Sequence, residues 1–155
     1  MILDLRDNGG GLLREAINVS NVFIDNDQEL VFTRGKVEEQ NKSYKTTKNA
    51  FDNKLPLAVL INDKSASASE IVSGSIQDLD RGVLVGQKTF GKGLVQNFFP
   101  AGYNSRVKMT ISRYFIPSGR CIQSKTYENG KTLLIDKNKQ SEFKTRNGRI
   151  VYDVG

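Results

Sequence analysis

The chain has 155 residues, 23 basic and 17 acidic for a net charge of +6, with 37% hydrophobic residues, one cysteine and no histidine. That size and balance suit one soluble globular domain with a core of its own, and no apolar run approaches the ~18 residues that a membrane-spanning helix needs. The lone Cys121 excludes an internal disulfide framework and a thiolate metal cluster, while the lack of histidine removes histidine-based metal sites and the usual means of activating a serine.

The N-terminal "MILDL" predicts a short buried strand ending in the turn-rich "RDNGGG". It has neither the basic start nor the long apolar stretch of a signal peptide. An opening directly on a strand leads us to expect that further chain preceded it. Leu12, Leu13, Ala16, Ile17, Val19, Val22 and Phe23 then recur near helical spacing and predict a helix of about three turns. A strand is expected around Leu30–Thr33, followed by a polar loop or edge hairpin over residues 38–54. "LPLAVLIND", Leu55–Asp63, reads as a strand of a sheet covered on both faces.

"SASASEIVSGSIQDLDR" follows as a helix with a small-to-medium apolar stripe of Ala68, Ile71, Val72, Ser75, Ile76 and Leu79. "GVLVG" predicts another buried strand. "LVQNFFPAGYNSRVKMTISRYF" predicts two strands around a Pro-Ala-Gly-Tyr-Asn turn, the second with one wet face because Val107, Met109 and Ile111 alternate with Arg106, Lys108 and Thr110. Beyond Pro117 the chain turns polar and its pattern is not legible. Residues 120–149 carry eight basic residues against three acidic ones, a net of +5 with only Tyr127 and Phe143 as aromatics, which reads as a solvated surface. Strands alternating with helices over the first 90 residues predict an α/β domain with right-handed crossovers.

Three stretches bear on chemistry. "Ser67-Ala-Ser-Glu70" fits the capping box S-x-x-E, in which the serine and the glutamate satisfy free N–H groups at a helix start. The same residues also fit a nucleophile at a strand-to-helix turn, because Ala66 and Ala68 keep Ser67 clear of bulk and a helix N-terminus offers N–H groups to an oxyanion. Such a nucleophile needs a base, which here must be Asp, Glu or Lys. The second stretch, "TFGKGLVQ", places Lys92 between two glycines and beside Phe90, Leu94 and Val95. A lysine base must be neutral, so its pKa has to fall from about 10.4 towards 7–8, which full burial can supply. Gln96 shares a strand face with Lys92 and could hold its amine, although an exposed turn lysine and a surface glutamine fit the spacing as well. The overlapping "GQKTFGKG" approximates a phosphate-binding loop, but Gly93 replaces the Ser or Thr of that motif and no helix follows. The third stretch, "LRDNGGG", is either an anion nest, an oxyanion-hole wall or a plain turn.

Together the stretches "LDLRDNGGGLLREAINVSNVFID", "PLAVLINDKSASASEIVSGSIQDLDRGVLVGQKTFGKGLVQ" and "SRYFIPSGRCIQ" resemble the C-terminal processing or tail-specific proteases, serine peptidase family S41. The resemblance implies a crotonase/Clp-protease-like α/β core with repeated β-β-α units. It implies a Ser–Lys dyad with Ser67 as nucleophile, Lys92 as general base twenty-five residues later, and Gln96 orienting the lysine. The oxyanion hole falls to the N–H of Ala68 with one from Gly11 or Gly10. Ser65, Ser69 and Asp78 lie nearby without a catalytic role. No metal or cofactor is needed, and the partners implied are unfolded or C-terminally exposed polypeptides rather than nucleic acid, with an oligomer possible.

From the same resemblance the expectation is one protease core domain over residues 1–155, trimmed, without the PDZ domain usual in the family, and with a surface insertion over 124–149. An isolated core that is inactive as a serine-type endopeptidase is compatible with that trimming. The localisation implied is the bacterial periplasm or cell envelope, or the plastid lumen. The rival expectation is a non-catalytic peptide-binding module of the same fold, in which Ser67 only caps its helix.

Overall fold

The computed structural model describes residues 1–128, 131–134 and 140–153. Its first sheet is parallel, with β1 (Ile2–Asp4), β4 (Ala58–Ile61) and β5 (Val83–Gly86) in that order. The register aligns Leu3, Val59 and Leu84 in one row and Ile2, Ala58 and Val83 in the next. The second sheet is antiparallel, in the order β3 (Ser43–Lys45), β2 (Glu29–Gly35), β7 (Arg106–Phe115), β6 (Leu94–Pro100). The helices α1 (Leu13–Phe23) and α2 (Ala68–Asp78) pack on each other, and α2 touches both β2 and β5, so it bridges the two sheets.

That position explains the composition of α2. Every residue of it except Gln77 is buried, and it is built from Ala68, Ser69, Ser73, Gly74 and Ser75 as well as Ile71, Val72 and Ile76. A helix enclosed all round needs small side chains to let its neighbours approach, and each hydroxyl in it needs an acceptor. Ser75 Oγ donates to the Leu30 carbonyl of β2 at 2.9 Å, tying helix to sheet. The apolar stripe expected on α2 is therefore part of a fully enclosed surface. Around it Leu30, Val31, Val59, Ile76 and Ile116 are wholly buried.

Two strands, in "GVLVG" and β7, differ from expectation, whereas residues 38–54 fit theirs. The "GVLVG" strand is exposed on one side, with Val83 at 55% and Val85 at 50% of full exposure, and Ile2 beside them at 69%. Leu3, Val59 and Leu84 face the core, while the alternate row faces outward, so the parallel sheet is covered on one face only. On β7 the expected dry face is wet too: β2 ends at the pair Gly35 and Ser112, so Arg106–Ile111 pairs only with β6. Val107 and Met109 stand exposed on the projecting hairpin. Residues 38–54, expected as a loop or edge hairpin, include the edge strand β3.

The polar C-terminal stretch also has structure. Among the described residues β8 (Lys125–Glu128) pairs with β9 (Lys131–Leu134), and β10 (Glu142–Lys144) with β11 (Ile150–Tyr152). Of the insertion expected over 124–149, residues 129, 130 and 135–139 lie outside the described residues. The second hairpin docks on the end of α2, where Arg146 N–H donates to the Asp78 carbonyl at 2.8 Å and Arg149 pairs with Asp80 at 2.7 Å. Arg120, counted above in a solvated surface, is buried and pairs with Asp78 at 2.9 Å while donating to the Tyr152 carbonyl.

Breaking such a pair from one side leaves a buried charge alone. We expect Arg120→Ala to lower stability by about 3–5 kcal/mol, and the Arg120→Ala/Asp78→Ala double variant to recover part of that loss. Urea unfolding of the three chains measures both.

Candidate active site

The loops after β1 and β4 are stitched together before α2 begins. Asp7 N–H donates to Asn62 Oδ1 at 3.0 Å, and Ala66 N–H donates to the Asn8 carbonyl at 3.0 Å. The three serines of "SASASE" then divide their work. Ser65 is wholly buried, and its hydroxyl donates to the Leu5 carbonyl at 2.7 Å, latching the loop to the end of β1. Ser69 is buried inside the first turn of α2. Ser67 alone of the three is only half-buried, and it lines the cavity that Lys92 also lines.

Ser67 sits at φ 57°, ψ −116°, a backbone state that costs a non-glycine residue about 1–3 kcal/mol. An ordinary N-cap is extended, so this turn is bent beyond what capping requires. The bend is held from within. Ser67 N–H donates to Glu70 Oε2 at 2.7 Å, and the Ser67 carbonyl accepts from the N–H groups of Glu70 at 2.9 Å and Ile71 at 3.1 Å. The capping-box expectation is thus met at the same residue that faces the cavity.

Glu70 does more than cap. It is 2% exposed. Its Oε1 accepts from Thr89 Oγ1 at 2.7 Å and from Gly91 N–H at 2.6 Å, and its Oε2 also accepts from Lys92 N–H at 2.9 Å. One carboxylate therefore fixes the serine turn and the lysine loop with four donors. Sequence reasoning assigned Glu70 only a helix cap. The signal available was that it is the sole charged residue between Lys64 and Asp78, in a helix otherwise small or apolar.

The lysine loop is clamped from its other side as well. Gly91 has φ 79°, and a Cβ there would meet Ser124 Oγ at 2.3 Å, so close packing requires the glycine. Tyr114 on β7 donates its phenol proton to the Lys92 carbonyl and lies beside Ser67. Burial first, and then the Glu70 charge, push the Tyr114 phenol above its ordinary value of 10.0.

The cavity, of about 360 Å³, brings together Ser67, Ala68, Gly11, Lys92, Gln96 and Tyr114 over an apolar floor. Lys92 is exposed on its rim, and among the described residues no hydrogen bond joins its Nζ to Ser67. The burial anticipated for a lysine base is not provided by its surroundings. Gln96 is exposed too, and its Nε2 donates to Thr110 Oγ1 at 3.3 Å rather than holding the lysine. Of the two candidate oxyanion glycines, Gly10 already donates its N–H to Asn8 Oδ1 at 2.9 Å. Its role is one of space: at φ 96° it lies where a Cβ would meet the Ala66 carbonyl at 2.5 Å. Among the described residues, no acceptor takes the N–H of Gly11 or of Ala68.

The family model of peptidase family S41 matches residues 1–130. The chain belongs to peptidase family S41. It is 43% identical over 122 residues to the carboxy-terminal-processing protease of Bartonella bacilliformis, an alignment covering 79% of this chain and 28% of that relative. It is 38% identical over 120 residues to the chloroplastic C-terminal processing peptidase of Tetradesmus obliquus, covering 77% of this chain and 25% of that one. Among solved structures, the photosystem II D1 C-terminal processing protease superposes with a TM-score of 0.71 at 35% identity, over 87% of this chain and 33% of its own. The chain thus spans about a quarter of the curated relatives' length. The S41 match contains every residue of the cavity described above. No helix among the described residues is long and apolar enough to cross a membrane.

Two outcomes test the site. Glu70→Gln puts an amide donor among four donors, and we expect it to lower stability by roughly 2–3 kcal/mol in urea unfolding. The raised Tyr114 phenol favours the folded state fully below the unfolded value near 10.0 and loses that contribution as pH rises through the higher folded value. Alkaline destabilisation from pH 10.0 upward to the folded value should accordingly be shallower in Tyr114→Phe, as measured by thermal melts across a pH series.

Proposed function

We propose that the chain is the catalytic core of a serine endopeptidase that cleaves near the C-termini of unfolded or tagged proteins. Ser67 attacks the scissile carbonyl, Lys92 takes its proton and later gives it to the leaving amine, and Gln96 orients the lysine. The N–H groups of Ala68 and Gly11 hold the oxyanion. Membership of a peptidase family and relatives named as processing proteases support a peptidase. The observation that carries the serine–lysine reading is Ser67, bent out of normal capping geometry at the start of a buried helix and sharing one cavity with Lys92 and two unengaged N–H groups.

Catalytic hydrogen bonds often tighten only with substrate present. A peptide lying over the cavity would exclude water from the Lys92 amine and bring it towards Ser67. The fold proposed is the crotonase/Clp-protease-like arrangement of repeated β-β-α units in one core domain over residues 1–155. Bacterial and chloroplast relatives support work outside the cytoplasm, in a bacterial envelope or periplasm.

A second reading is a non-catalytic peptide-binding module. The exposure of Lys92 and the satisfied capping box at Ser67 favour it.

Mass spectrometry of an unfolded protein with a free C-terminus, incubated with the chain, separates the two. Cleavage that falls by about 10³-fold or more in both Ser67→Ala and Lys92→Ala, and that chelators leave untouched, is the expected result. Cleavage surviving in Ser67→Ala sinks the nucleophile assignment, and tight peptide binding without turnover selects the second reading.

A further inference from the structure

Beside the catalytic cavity lies a second groove of about 670 Å³, and Leu94 and Gln96 line both. Its other lining includes Arg34, Lys36 and Arg113, and no acidic side chain. Arg34 and Arg113 stand directly opposite each other on the β2–β7 ladder. Like charges in that relation destabilise a sheet. Among the described residues, none of these three cations forms an ion pair. A protein that places three unpaired cations around a concavity has arranged a field that an anion would relieve.

Two further features shape what that anion is. Arg34 is held flat: its guanidinium carbon lies 5.0 Å from the Phe32 ring centroid and 5.8 Å from that of Phe115, and the two rings stack at 5.3 Å. Ring contact of this kind restrains a guanidinium without using its N–H donors, which a carboxylate can then take. Next to it, β2 stops at Gly35, so the edge of β7 over Arg106–Ile111 is unpaired on that side. An open strand edge receives an extended polypeptide.

We infer that this groove binds the carboxylate of an extended polypeptide, and so selects substrates with an acidic residue or a free C-terminus close to the bond presented to Ser67. The inference rests on the peptidase reading for its consequence, but the binding site itself does not need turnover. One carboxylate chemistry has two sources here, the α-carboxylate and an Asp or Glu side chain.

The test uses fluorescence polarisation with the Ser67→Ala chain and three versions of one extended peptide. The first carries an internal Asp and a C-terminal amide, the second has no acidic side chain but a free C-terminus, and the third is neutral and amidated. At low salt we expect at least one carboxylate peptide to bind about tenfold more tightly than the neutral one. The advantage should shrink at high salt and in Arg34→Gln, Arg113→Gln and Lys36→Gln. Preference for the first peptide assigns the side chain as source, and for the second the terminus. Equal or undetectable binding of all three overturns the inference, as does a single-stranded oligonucleotide binding more tightly than either acidic peptide. Cleavage assays on the unmodified chain keep the two claims apart. Acid-selective binding without cleavage removes the peptidase reading and leaves the groove, whereas cleavage indifferent to acid removes the groove alone.

Discussion

A carboxylate enclosed by protein, with no cation paired to it, is costly unless donors surround it. Among the described residues Glu70 is in that position, and its four donors come from the turn before α2 and from the loop around Thr89–Lys92. The N-terminus of α2 adds its dipole to the same charge. Satisfying Glu70 therefore obliges two segments more than twenty residues apart to meet in one geometry. The rest of the site follows from that meeting: Ser67 is turned to the cavity, Lys92 is delivered to its rim, and Tyr114 closes over the lysine loop from β7.

The enclosing elements are what make so polar a centre tolerable. Helix α2 is buried between two sheets, and its Ser75 hydroxyl and Glu70 carboxylate are placed where main-chain groups of other elements await them. At its far end the buried pair of Asp78 and Arg120, and the docked hairpin of β10 and β11, hold the helix from the other side. The helix is thus fixed at both termini by charge and along its length by packing. A site built at its first turn inherits that rigidity.

Much of this was legible in the sequence, and the reasons for the gaps differ. The strands β1 and β4 and the helix α1 announce themselves by apolar runs and turn residues, and the S-x-x-E box marks the start of α2. The misreading of "GVLVG" has a simple cause: a four-residue apolar run looks the same whether one face of its sheet is covered or two. The partners of Glu70 and of Arg120 were out of reach because they come from distant elements, Thr89 and Gly91 for one, Asp78 and Tyr152 for the other. Resemblance pointed to Ser67 and Lys92, and the residues left an exposed Lys92 and Gln96 open as the alternative, but nothing in the residue types revealed that Gly10 spends its N–H on Asn8.

Position 67 also carries a conformational cost that folding alone does not require. Its φ of 57° is one that glycine adopts freely, so a drift toward thermal robustness would remove the side chain and relax the turn. Gly10 is pressed against the same turn, where a Cβ on it would meet Ser67 Cβ at 2.9 Å. A serine held at a backbone conformation that favours glycine carries a local cost in stability of the kind that concentrates at functional sites.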